Sequence, residues 1–439
     1  MTASNLSPFE LPSPSEPTIG GFQIQEGSPA HERSPNSPSQ RDRLDYIDTL
    51  RGAAAVQVLL SHSMLAFFPG IFFASPLSGT LLGYIAASPL FFPLDGASAV
   101  CIFFVLSGYV LTPLFTRSRA TGAAHILSRF VRLGVPVLAG CALSVVLFQI
   151  FARYDQPASM IAHSQWLAEN WRPSADLWFL KDALVNGLLL GFRGASVVQW
   201  LGFPASALAP MSDSYMSPLW TLSLEFYGSI FVLILTRSRS WMLLVAASII
   251  LSRTYLLCFL AGHIAARCNL GAKQVTTPWP LAVAIATLGV LVCMASHFWN
   301  PRPILEFCAL PTRILPPCPT ENPAYLMRIY GATVFTVAIM QCLPARAFLG
   351  QRRLRALGRL SFPLYLTHWP IIFGLGSFLL VASAPWIGPR AARCLAIVAS
   401  VALTALASAS FERVDQLALR VSRAVRERKV AVTDASRQQ

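Results

Sequence analysis

Beyond residue 43 the chain is a succession of long apolar stretches separated by short polar ones. Apolar runs fall at about 52–72, 97–116, 133–152, 217–236, 279–298, 325–344, 360–381 and 391–411. Each approaches or exceeds the roughly 20 apolar residues that a helix needs to cross a bilayer. None has the period-two alternation of a membrane barrel, and in lipid only helices and closed barrels satisfy their own backbone. The pattern predicts an all-α fold, a polytopic transmembrane helical bundle. Two further stretches are less regular. Residues 176–192 carry Lys181 and Asp182 mid-run, which suits a re-entrant or interfacial segment rather than a full span. Residues 240–267 are apolar but interrupted by Arg253, and form either two short segments or one long tilted helix. With these, about ten membrane segments are expected.

Composition agrees with the pattern: 54% of the 439 residues are hydrophobic and only 12% charged, against about 25% charged in soluble domains. Residues 1–43 are rich in Ser, Pro, Glu and Gly and read as a disordered tail. They show no basic start followed by an apolar core, so no cleavable signal is expected. Residues 44–415 make the membrane domain. Residues 416–439 form a basic tail that includes Arg420, Arg423, Arg426, Arg428 and Lys429.

The net charge of +14 would suggest nucleic acid in a soluble protein. Here the arginines gather between spans, at Arg41 and Arg43, at Arg117, Arg119, Arg129 and Arg132, and along 346–359. That is the cytoplasmic-loop bias that orients membrane helices. It places both termini in the cytoplasm, makes lipid the surroundings and leaves no role for nucleic acid; an endomembrane such as the endoplasmic reticulum is the expected compartment. Cys101, Cys141, Cys258, Cys293, Cys342 and Cys394 lie in apolar runs and read as small packing residues. Cys308 and Cys318 share a polar loop and pair if that loop is lumenal. No spacing suggests a metal site, and the oligomeric state is not legible.

The chemistry begins in DTLRGAAAVQVLLSHS, residues 48–63. Eleven helical positions separate Arg51 from His62, close to three full turns, so the two side chains share a face roughly 16 Å apart. Arg51 stands at the cytoplasmic mouth and His62 near mid-membrane. A ligand touching both is anionic at one end and long, and an acyl-coenzyme A fits, with phosphates at the mouth and thioester at the imidazole. Read singly, Arg51 is a snorkelling anchor and His62 an interhelical hydrogen bonder. Ionisable groups inside a membrane are functional candidates by default.

Three later stretches add candidates. In SPLWTLSLEFYG (217–228), Glu225 sits in an apolar span and needs a partner. His62, Arg253 and His368 are all open to it, and with His62 it would make a triad-like pair. Trp220 and Tyr227 are packing or interface aromatics, with Trp220 carried as a binding candidate. In LGRLSFPLYLTHWPIIF (357–373), Ser361, Tyr365 and His368 share a helical face, and Pro363 and Pro370 invite a kink that frees carbonyls near His368. In SRFVRLGVP (128–136), Arg129 and Arg132 stand one turn apart and suit phosphate capture beside Arg51, or are plain topology charge. FFVLSGYVLT (103–112) reads as tight helix packing around Ser107 and Gly108. His125, His163, His263 and His297 carry weaker signals.

Taken in order, these pieces resemble the acyltransferase-3 superfamily of integral membrane, acyl-coenzyme A-dependent O-acyltransferases. The resemblance runs from about Leu44 to Phe411. It rests on DTLRG with the Arg51–His62 spacing, FFVLSGYVLT, the arginine pair before Pro136, WTLSLEFYG and SFPLYLTHWP. It implies that Arg51 and His62 are essential to acyl transfer. The absence of a fused hydrolase domain looks more like fungal members, which often modify small natural products, than bacterial ones, which modify sugars.

The expected function is therefore transfer of an acyl group, acetyl in the simplest case, from acyl-coenzyme A to a hydroxyl of a small molecule, carbohydrate or lipid. No bound cofactor is expected; acyl-coenzyme A is a co-substrate. His62 acts as general base, Glu225 orients it, Arg51, Arg129 and Arg132 hold phosphates, and His368 positions acceptor or thioester. An acyl-histidine intermediate is the variant of the same scheme. The rival from another class is a proton-coupled transporter, for which buried His and Glu also serve.

Overall fold

The computed structural model describes residues 42–72, 81–174, 178–238, 240–270, 277–298 and 323–438. Residues 1–41 of the N-terminal tail and the Cys308–Cys318 loop lie outside the described residues, and residues 42 and 43 already belong to the first helix. Every regular element among the described residues is helical. The principal helices are α1 (Asp42–Phe67), α2 (Gly96–Arg117), α3 (Gly122–Phe151), α4 (Trp220–Ser238), α5 (Trp241–Ile250), α6 (Leu256–Arg267), α7 (Trp279–Phe298), α8 (Pro323–Gln341), α9 (Leu343–Leu349), α10 (Arg355–Pro370), α11 (Ser377–Ile387) and α12 (Pro389–Gln438).

Among the described residues, seven helices are long and apolar enough to cross a membrane, or eight when α8 and α9, bent by 87°, count as one broken span. The two irregular stretches are helical as well. Residues 240–267 form two short helices, α5 and α6, and Arg253 lies in the turn between them. Lys181–Leu190 is a π-helix that packs between α3 and α4, with Leu184 and Leu188 against Gly134 and Leu219 against Gly187. The fully buried Asp182 anchors it by accepting from Ser214 Oγ at 2.8 Å and from the Tyr215 amide at 2.9 Å. The segment ends at Gly191, where φ is +74° and a side chain would be strained.

Two of the bundle's close glycine contacts bear on the site. On α2, a Cβ at Gly108 would overlap the Phe259 carbonyl, and one at Gly262 of α6 would overlap the Val105 carbonyl. The small residues of LSGYV therefore do let two backbones meet, as the sequence predicts. The second contact joins α1 to α10, where Gly52 faces Leu357 and Gly358 faces Asp48. It brings the helix carrying Arg51 and His62 directly against the helix carrying His368.

The prolines of α10 do not break it. α10, a π-helical turn at Ile371–Gly376 and α11 run on as one span, Arg352–Ile387. The wider turn absorbs the amide that Pro370 lacks.

Candidate active site

His62 and His368 meet near the C-terminal ends of α1 and α10. His62 Nδ1 lies 2.9 Å from His368 Nε2, and His368 Nδ1 lies 3.2 Å from the Leu364 carbonyl one turn back on its own helix. These contacts fix the tautomers. A carbonyl only accepts, so His368 Nδ1 carries the proton; its Nε2 in the neutral ring is then an acceptor, and His62 Nδ1–H donates to it. The remaining nitrogen, His62 Nε2, keeps its lone pair. His368 is 1% exposed, whereas His62 is only partly buried. The supporting imidazole is sealed and the supported one is reachable.

Aromatic rings complete the surroundings. Trp166 stacks on His62 at 5.6 Å and 21°, and Trp369 meets it edge-on at 5.3 Å and 87°. Trp166 belongs to the short helix Gln165–Glu169. Ser164 caps that helix by accepting from the Leu167 amide and pins it to α1 by donating to the Leu65 carbonyl at 3.1 Å. Neither tryptophan is singled out by spacing in the sequence, although Trp369 directly follows His368 in LTHWP.

Glu225 is not the partner of His62. Its Oε1 is ion-paired with Arg129 and accepts from Ser107 Oγ at 2.9 Å. The expected triad-like pair is thereby corrected. A carboxylate in an apolar span goes to the strongest donor within reach, and a guanidinium on the facing helix outcompetes a neutral imidazole. Ser107, expected as a packing residue, is also a hydrogen-bond donor to that carboxylate.

The two arginines of α3 are likewise already matched. Arg132 grips Asp415 of α12 with two hydrogen bonds, at 2.6 and 3.1 Å, and stacks over Phe362. Arg129 lies within electrostatic reach of both Arg132 and Arg51. Arg51 differs from the others. It makes no ion pair among the described residues, only an electrostatic contact with Asp48 one turn earlier, and its Nε is buried without a hydrogen-bond partner.

The other candidates are placed as follows. Tyr365 Oη donates to the Pro218 carbonyl and bonds Thr221 Oγ1 at 2.6 Å, which ties α10 to the entry of α4 and occupies the hydroxyl. Ser361 is buried one turn earlier on the same face. Trp220 packs on Tyr255 at 5.5 Å, not in the cage around His62. Among the described residues no cluster of His, Cys, Asp and Glu could hold a metal ion.

A family model described as an acyltransferase domain matches residues 44–409, most of the chain. The chain belongs to the acyltransferase-3 family. Its apolar helices make it a membrane acyltransferase, and the match starts within the first turn of α1 and runs into α12. No curated protein and no solved structure matches it.

Proposed function

We propose that the protein moves an acyl group from acyl-coenzyme A, acetyl-coenzyme A in the simplest case, to a hydroxyl of a small molecule such as a secondary metabolite. Carbohydrate and lipid hydroxyls are the other acceptor classes. The reading places it in an endomembrane with both termini in the cytoplasm, so that the donor enters at Arg51. The observation that carries it is the hydrogen-bond chain Leu364 carbonyl, His368, His62, which leaves a lone pair on a partly accessible nitrogen.

His62 Nε2 takes the proton of the acceptor hydroxyl as its oxygen attacks the thioester carbon. When the tetrahedral intermediate collapses, the C–S bond breaks and the leaving sulfur takes that proton, giving an ester and free coenzyme A. General-base assistance of this kind contributes about 10²–10⁴-fold. Arg51, roughly 16 Å back along the same face, meets the phosphates with a charge balanced among the described residues only by its electrostatic contact with Asp48. Arg129 and Arg132 add to the positive field at the mouth, while Glu225 and Asp415 hold them in place.

The test is release of free coenzyme A by the purified protein with acyl-coenzyme A and candidate hydroxyl acceptors. His62→Ala is expected to abolish it while expression and thermal unfolding stay as in the native protein. Retained turnover in that variant removes His62 from the reaction. Comparing metabolites of a deletion strain with its parent identifies the acceptor, as a product lighter by one acyl group.

A further inference from the structure

The base and its support account for the proton, but the reaction also places negative charge on the thioester oxygen. Such charge is ordinarily met by a preorganised hydrogen-bond donor in a site closed to water. Three rings surround His62: Trp166, His368 and Trp369. Both nitrogens of His368 are committed, one to Leu364 and one to His62. Trp369 is different. It is 2% exposed, and its indole Nε1 is buried with no hydrogen-bond partner.

An orphaned buried N–H is costly and rare. The fold is able to satisfy a buried indole elsewhere: Trp171, 0% exposed, donates to the Tyr215 carbonyl at 3.0 Å. Trp369 keeps its donor unused although it sits edge-on to His62, next in sequence to His368, and in contact with Trp166 at 5.3 Å. Its side chain is held by Phe373 at 4.6 Å, so the ring is fixed before any ligand arrives.

The geometry points to Trp369 as the donor that binds the thioester carbonyl oxygen of the acyl donor, a catalytic residue beyond the histidine pair. This rests on the acyl-coenzyme A reading above. As the acceptor oxygen bonds to the carbonyl carbon, the C=O π pair moves onto oxygen, and the Trp369 N–H holds that oxyanion. The pair returns when the C–S bond breaks, and Trp369 neither gains nor loses a proton. His62 and Trp369 thus divide the work: one accepts a proton and the other only donates a hydrogen bond.

Trp369→Phe removes the N–H and keeps a ring in place. Turnover is expected to fall by roughly 10²-fold or more, as for loss of an oxyanion donor, and KM for the acyl donor to rise with the lost carbonyl contact. Binding of two unreactive coenzyme A analogues provides a readout that does not depend on turnover. One is a ketone with methylene in place of sulfur; the other is an S-alkyl thioether with no carbonyl. The variant is expected to bind the ketone more weakly and the thioether as well as the native protein does, which also shows that the site is folded. Equal loss of both analogues, or of neither, overturns the assignment of Trp369. If the native protein binds neither analogue, the acyl-coenzyme A reading falls, and this assignment with it.

Discussion

Arg328 Nε lies 3.0 and 2.9 Å from the two carboxylate oxygens of Asp95. The same carboxylate accepts from the Ser98 amide and so caps the start of α2, while Gln57 of α1 donates to the Asp95 carbonyl at 3.0 Å. Three helices, α1, α2 and α8, are therefore joined at one buried ion pair, on the face of α1 carrying Gln57 and Ser61. Gly96 packs directly on Ser61, the residue before His62.

Breaking this pair from one side strands a charge in a low-dielectric interior. Asp95→Asn or Arg328→Met is expected to destabilise by about 3–5 kcal/mol. The loss should appear as a lowered thermal unfolding midpoint in detergent. Replacing both with apolar residues of similar size should recover much of it, because the desolvation penalty disappears along with the attraction. A double variant no more stable than the singles contradicts the ion-pair account.

The histidine chain makes a graded prediction. His368→Ala leaves His62 Nδ1 without an acceptor and lets the ring reorient, so kcat should fall by roughly 10²-fold, with KM for the acyl donor unchanged. His368→Gln supplies a carbonyl oxygen to the same nitrogen and should retain more activity than the alanine variant. Equal activity in the two variants would mean that His368 acts through packing alone.

Glu225 now predicts a structural phenotype. Glu225→Gln removes the charge facing Arg129 and should lower thermal stability by about 1–3 kcal/mol. A measurable kcat should remain, unlike in His62→Ala. Pairing it with Arg129→Gln in a double-mutant cycle should give a coupling of about 0.5–3 kcal/mol. Complete loss of turnover in well-folded Glu225→Gln protein would return the carboxylate to the chemistry.

Asp415 competes for an arginine that lies beside the proposed phosphate site. Asp415→Asn frees Arg132 and should lower KM for acyl-coenzyme A by about fivefold, the equivalent of one modest ion pair, with a steeper dependence on salt. Arg51→Gln should raise KM instead. Steady-state kinetics over a range of ionic strength separate the two effects.

Contacts within one helix were legible in the sequence, and so were breaks in hydrophobicity. The Arg51–His62 spacing follows from counting along α1, and Lys181, Asp182 and Arg253 mark the interruptions in 176–192 and 240–267, but whether the latter is two short helices or one long one stayed open until the fold showed two. The pairings between helices were not legible. His62 meets His368 across 306 positions, Glu225 meets Ser107 across 118, and Arg132 meets Asp415 across 283. A buried carboxylate announces that it needs a partner but not which one, since the choice depends on how helices dock. The glycines at 52 and 358 decide that docking for α1 and α10, and only in the fold is it evident that they face each other's helices.

The two imidazoles share one hydrogen bond, and its direction leaves a single vacant nitrogen. A dyad built this way has room for one incoming proton. The hydrogen lifted from the acceptor must therefore depart with the coenzyme A thiol before the next acceptor can react. Under the proposed scheme each turnover closes on itself: no proton is drawn from either side of the membrane, and the rate of the bound reaction should not respond to a transmembrane pH gradient.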